Sequence, residues 1–211
     1  RKQLRTALSL AQTLKDQVVL AEATALEAWL GCLFGEPQYL WQLQTQMQNL
    51  LSPLEDAANR AFVLYAGTRA ALVTGMLTLA QEFSSALTEL CEQFLLKDWE
   101  PFAYTVQSLV ALRQESRQTF ETLASKGLAS IKSQNLKPLE IELLLAKSEL
   151  LLDPLARAEA LTSAMEKLRD IAERLAPTVV DGYLRQAFAQ TLQQRFKAAC
   201  ADPRWSSSLQ P

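Results

Sequence analysis

Apolar residues recur three and four positions apart through almost the whole chain, the spacing that places side chains on one face of an α-helix. Between Ser52 and Lys97 the series Leu54, Ala58, Ala61, Tyr65, Thr68, Leu72, Gly75, Leu79, Phe83, Ala86, Leu90 and Phe94 keeps this period, with no proline after Pro53. Periodicity alone reads it as a single helix about 68 Å long at ~1.5 Å per residue, which must lie along other helices. Its start is marked by Ser52, Pro53 and Glu55: a capping serine, a first-turn proline and a glutamate three residues after the cap. Asp98, Trp99, Glu100 and Pro101 mark its stop and the next start.

The same pattern sets the other elements. Leu4, Ala7, Ala11, Leu14, Val18, Ala21, Ala25 and Ala28 predict a helix over residues 2–31, its many alanines permitting close approach of a neighbour. Gly31, Gly35 and Pro37 interrupt it, with Trp29, Leu33, Phe34, Tyr39 and Trp41 forming an aromatic corner. Leu40, Leu43, Met47, Leu50 and Leu51 define a helix over 37–51 whose solvated face is rich in glutamine. A further helix runs to Gln134 through Phe102, Val106, Leu109, Val110, Phe120, Leu123, Leu128 and Ile131, and Arg113 and Ser116 on that stripe indicate that it emerges into solvent midway. Asn135 to Pro138 form a hinge. Asp153 with Pro154, and Pro177 with Thr178, restart helices over the last third, where Lys167, Asp170 and Arg174 make an outward ladder of opposite charges.

These elements predict an all-α protein: an elongated antiparallel helical bundle with long helices over 1–135, a smaller C-terminal helical lobe over 136–200 and a frayed tail over 201–211. The short Asp-Pro and Ala-Pro-Thr connections suggest a helix-hairpin repeat, but no residues recur at the ~34-residue period of the commonest such family.

Composition narrows the chemistry. The 211 residues carry 21 basic and 23 acidic side chains, and only Arg1, Lys2 and Arg5 at one end and Arg185, Arg195, Lys197 and Arg204 at the other gather positive charge. A nucleic-acid binder needs a concentrated basic face, so that class is disfavoured. Cys32, Cys91 and Cys200 lie far apart and read as reduced thiols of an intracellular protein. No apolar run reaches the ~18 residues of a membrane span, and no signal peptide is present. The chain opens on Arg1 rather than methionine, as a segment of a longer protein or a trimmed terminus does.

Histidine is absent, which removes Ser-His and Cys-His nucleophile pairs, the usual zinc sites and the Glu-x-x-His di-iron motif of helical bundles. The seven aspartates are isolated, so no magnesium-holding cluster forms, and Gly67 and Gly75 sit singly in a helical pattern rather than in a phosphate loop. No catalytic residue, cofactor or metal is expected. By elimination the chain reads as a non-enzymatic scaffold or adaptor whose partners are other protein chains, itself included. The residues singled out for partner binding are the triplets Leu143, Leu144, Leu145 and Leu150, Leu151, Leu152, whose apolar surface exceeds what a two-helix contact covers, together with Trp99 and Trp205. The alternatives are a peripheral membrane module and a bundle binding a small apolar ligand beside Trp29, Phe34 and Trp41.

Overall fold

A computed structural model describes residues 2–33, 36, 38–184 and 187–200, apart from the side chains of 2, 48, 182, 187 and 188. Among the described residues every regular element is an α-helix. They are α1 (Lys2–Leu14), α2 (Gln17–Leu33), α3 (Gln38–Leu51), α4 (Ala57–Thr74), α5 (Leu77–Phe94), α6 (Glu100–Arg113), α7 (Arg117–Gln134), α8 (Lys137–Leu150), α9 (Pro154–Arg174), α10 (Pro177–Leu184) and α11 (Ala187–Cys200). The all-α bundle expected from the pattern is therefore present, but its helices are shorter than periodicity implies.

One backbone device makes most of the breaks. Lys15, Gly75, Leu95, Glu115 and Asn135 adopt left-handed conformations, with φ of 56°, 74°, 53°, 58° and 56°. After each, the next N–H donates to the carbonyl five residues back: Asp16 to Ala11 at 3.0 Å, Met76 to Ala71 at 2.9 Å, Leu96 to Cys91 at 3.0 Å, Ser116 to Ala111 at 2.9 Å and Leu136 to Ile131 at 3.2 Å. This is the Schellman closure, which satisfies a terminal carbonyl while reversing the chain. Glu36 makes the same bond to Gly31 at 2.9 Å. All six accepting residues are buried, so the closing bonds form away from water, where an unpaired carbonyl is costly. Connections this short leave neighbouring helices antiparallel.

The helix expected over 52–97 is thus two helices folded on each other, because Gly75 takes the left-handed C-cap and donates to Ala71 and Leu72. Likewise 2–31 breaks at Lys15, where Asp16 caps α2 through Val19 N–H at 3.1 Å. The segment 98–134 breaks at Glu115, leaving Arg113 exposed at the end of α6. The last helix is described as α10 and α11, with residues 185 and 186 between them outside the described residues.

The α3–α4 and α8–α9 connections share a second device. Asp56 caps α4 and Asp153 caps α9, each accepting from first-turn N–H groups. Four residues on, Arg60 Nε donates to the Leu54 carbonyl at 2.6 Å and Arg157 Nη2 to the Leu151 carbonyl at 2.6 Å. The capping box expected at Ser52 does not form. Leu54 is instead pulled fully into the core, and α4 starts only after the chain has turned inward to bury it.

Contacts divide the chain into two compact units, Arg1–Ser116 and Arg117–Pro211, so α7 belongs with the helices that follow it, ahead of the hinge expected at Asn135. In the first unit α2, α4 and α6 pack side by side, and α3 and α5 each rest on a consecutive pair of them. These even-numbered helices repeat in register every forty residues. Ala21, Ala61 and Pro101, then Ala28, Thr68 and Ser108, then Gly31, Ala71 and Ala111 are all buried small residues or proline. The Thr68 and Ser108 hydroxyls donate to their own helices, to Leu64 O at 2.8 Å and Tyr104 O at 2.7 Å, so they pass through the core as small side chains with no unmet donor. A hairpin register of forty residues thus lies in the first unit, away from the Asp153-Pro154 and Ala176-Pro177-Thr178 connections that suggested a repeat.

In the second unit α8 packs between α7 and α9, and α11 packs on α9. Ile141, Leu145, Leu161, Ala164, Leu168 and Leu192 form the core. The charge ladder expected on the outside of α9 is partly turned inward. Lys167 pairs with Glu140 at 3.1 Å, Asp170 pairs with both Lys137 and Arg174, and Arg195 ties α11 to Glu149 at 2.9 Å. Glu140 is 8 % exposed, a burial that only a paired carboxylate tolerates.

The junctions supply a stability test. A methyl group added at Gly75 would meet no atom within 4 Å, so Gly75→Ala adds only left-handed strain and lowers unfolding free energy by about 1–2 kcal/mol. Leu95→Gly, at an exposed position with φ 53°, relieves that strain and raises it by ~0.5–1 kcal/mol. Urea midpoints moving in these opposite directions at constant slope are the expected outcome.

Candidate functional site

The largest aromatic grouping lies on the even-numbered helices of the first unit. Phe62, Tyr65 and Arg69 occupy one face of α4 at steps of three and four. Trp29 reaches them from α2, and Trp99 and Phe102 from the start of α6. Tyr65 is the hub. Its ring centroid lies 5.8 Å from Trp29 and 5.4 Å from Phe102, both edge to face, and 6.3 Å from Trp99. Trp99 closes the row at 5.2 Å from Phe102 and 6.5 Å from Phe62. The Arg69 guanidinium sits 5.3 Å above the Trp29 ring and 5.9 Å from that of Tyr65. Tyr65 is buried, and Trp29, Phe62, Arg69, Trp99 and Phe102 are half-buried.

The local sequence explains why Trp99 is held there. It is the N-cap of α6, with its backbone already near helical values (φ −95°, ψ −16°) and Pro101 in the first turn. Its N–H donates to Leu96 O and its carbonyl accepts from Ala103 N–H, both at 3.0 Å. The backbone that carries the indole is held on both sides. The Trp29 Nε1 is buried with no hydrogen-bond partner, so the Trp29 ring sits against a cation and an aromatic edge while its one donor goes unmet. An array of rigid rings with a stacked arginine suits recognition of side chains from another polypeptide, since such groups give large contact area at small entropic cost.

The leucine triplets behave differently. Leu143 and Leu145 are buried, and Leu144 packs against the core of the second unit. Leu150 and Leu151 are half-buried, and Leu152, 82 % exposed, projects from the α8–α9 connection beside the exposed Leu155. The wide apolar surface of α8 is therefore covered by α7 and α9 rather than left as a groove, because a helix packed on two sides needs apolar residues around more than half its circumference. Trp205 and Phe34 lie outside the described residues. Trp41 is 56 % exposed on α3 while Trp29 packs on Tyr65, so these two tryptophans do not line a common apolar pocket.

Sequence reasoning found Trp99 and Trp29 but read Tyr65 and Phe102 as ordinary core residues, and it did not single out Phe62 or Arg69. A signal was present in the repeat itself. Trp29 and Arg69 stand forty residues apart, at one register position of successive even-numbered helices, which places them side by side.

Among the described residues no group of three or more His, Cys, Asp or Glu side chains is placed to hold a metal ion, and no helix is long and apolar enough to cross a membrane. Cys32 and Cys91 are buried free thiols and Cys200 an exposed one. Burial, reinforced by the nearby Glu100 and Glu92 carboxylates, pushes Cys91 up to about 11, and burial also raises Cys32. Burial and the same two carboxylates raise Tyr104 above its ordinary value. No protein-family model, curated protein or solved structure matches the chain.

The thiols give a direct check. In the native protein Cys200 reacts with a maleimide or a disulfide reagent at neutral pH, whereas Cys32 and Cys91 react only after unfolding. Because Cys91 stays protonated in the fold to about 11 but ionises near 9 when unfolded, the unfolded state releases its proton first. Stability is therefore intact below pH 9 and falls between pH 9 and 11. Cys91→Ala flattens that fall, as read from urea midpoints across the window.

Proposed function

We propose that this chain is a non-enzymatic helical-repeat adaptor that binds another protein chain across the aromatic face of α2, α4 and α6. The observation that carries this reading is the half-buried row of Trp29, Phe62, Trp99 and Phe102, gathered around Tyr65 with Arg69 stacked beside it. A row whose only role was core packing would gain by full burial. Here five members stay half-buried on one layer of helices, each leaving part of its side chain on the surface that stacked hairpins commonly present. The absence of histidine from the sequence and the lack of a metal-ligand cluster among the described residues leave binding as the activity these side chains serve best. The buried free thiols Cys32 and Cys91 suit a reducing, intracellular compartment.

Photo-crosslinking tests the reading. A photoreactive phenylalanine analogue at Phe62 is expected to join the full chain to a discrete set of proteins in native extract, while the same analogue at the exposed Leu152 does not. Once a partner is purified, Trp99→Ala weakens binding by roughly 30-fold or more, the effect of losing an aromatic anchor of about 2 kcal/mol. Circular dichroism and thermal melting of the variant confirm that it is folded at the assay temperature. Identical crosslinks from both positions would remove the aromatic face as a binding site.

A further inference from the structure

The aromatic face has a charged edge. Glu22 occupies in α2 the register position that Phe62 holds in α4 and Phe102 in α6, two turns before Trp29 on the same side of its helix. It is half-buried, and burial together with the Asp16 and Asp56 carboxylates holds its own carboxyl above the ordinary value. Asp16 and Asp56 cap α2 and α4 from exposed positions, and Glu55 and Asp98 stand exposed just before α4 and α6. No lysine or arginine among the described residues pairs with any of these five carboxylates. Of the cations at this edge, Arg60 donates to the Leu54 carbonyl at 2.6 Å and Lys97 pairs with Glu100 at 3.3 Å. Lys15, with a partial charge of about +0.5 at each helix start, only partly offsets the carboxylates. Arg69, stacked on Trp29 and Tyr65, lies two turns further along α4 than Phe62.

We infer that the partner chain presents lysine or arginine side chains to this edge, next to the apolar side chains that it lays on the ring row; the inference rests on the binding face proposed above. Charge complementarity selects that chemistry. An acidic segment would set like charges against Glu22, Asp16 and Asp56 at short range. Among the described residues no three carboxylates are placed to hold one metal ion, so the matching positive charge is spaced along a polypeptide. The adjoining rings add to the selection. A lysine or arginine that reaches Glu22 also comes within range of the Phe62 ring in the same register row, and a cation over an aromatic face is attracted to it, as Arg69 is to Trp29. Because the edge is half-buried to exposed, the contact weakens as salt rises.

Two synthetic peptides test the sign of the partner. They share the same leucine and phenylalanine positions, with lysines between them in one and glutamates in the other, and their binding to the full chain is read by fluorescence anisotropy. The lysine peptide is expected to bind about tenfold tighter or more. In the variant Asp16→Asn, Glu22→Gln, Asp56→Asn, which keeps a capping acceptor at both helix starts, that ratio falls to about threefold or less. Glu82→Gln, Glu89→Gln, Glu92→Gln, an equal change of charge at exposed positions of α5, leaves the ratio as in wild type. Circular dichroism confirms that each variant is folded. Equal binding of the two peptides, tighter binding of the glutamate peptide, no binding of the lysine peptide, or a ratio that survives the first triple variant overturns the inference. The aromatic face is read separately, by Trp99→Ala: both peptides weaken alike and their ratio is kept. Equal binding that Trp99→Ala still weakens removes the basic partner and leaves the face, whereas a retained ratio with no loss in Trp99→Ala removes the face.

Discussion

A single hydrogen bond, repeated six times, governs the rest of the architecture: a buried carbonyl at the last turn of a helix accepts from the N–H five residues later. Once Ala11, Gly31, Ala71, Cys91, Ala111 and Ile131 are buried, their carbonyls need partners in a place water does not reach. At five of them a left-handed residue after the helix lets the following N–H supply one. The closures at Lys15, Gly75 and Asn135 sit in two-residue connections, so the helices they join are antiparallel and begin in fixed phase. The phase decides which side chains face inward. The small residues of α2, α4 and α6 then recur at equal intervals, and close helix approach follows, as at Gly67, where a Cβ would lie 2.9 Å from the Phe83 ring.

The helical class was legible from apolar spacing, and so were the start of α9 at Asp153 and the exposure of Arg113. The breaks were not, for a physical reason. A left-handed closure costs only two residues, and the apolar stripe resumes after it nearly in step, so periodicity passes over the turn. Gly75 was visible as a residue but sat in phase with the stripe, and Lys15, Leu95 and Glu115 carry no turn signature at all. The repeat escaped because its markers are small residues of differing chemistry, alanine, threonine, serine and proline, which share volume rather than identity. In the second unit the leucine triplets signalled a central helix, and charge pairing could not be assigned until Lys167 and Asp170 were seen to face Glu140 and Lys137.

The two units reach stability by different means. The first relies on small residues and rings: alanines line the contacts between helices, and Trp29, Tyr65, Trp99 and Phe102 pack on one another across α2, α4 and the start of α6. The second uses charge as well, with three pairings linking helices across its core. Ion pairs at this depth contribute little net energy, but they reject misregistered packing, because sliding α9 against α8 would strand Glu140 without its lysine. Both solutions specify one alignment of helices, by volume in one case and by charge in the other.

The forty-residue register of the first unit quantises the ways in which its length can change. Adding or removing one whole pair of helices brings every surviving surface back to an equivalent neighbour. Adding or removing a single residue rotates all later side chains by about 100° about their helix axis and sets alanine against leucine throughout. The packing therefore tolerates changes of length as a complete helical pair or within the Asp56-type connections, where the capping carboxylate and its arginine restart the phase.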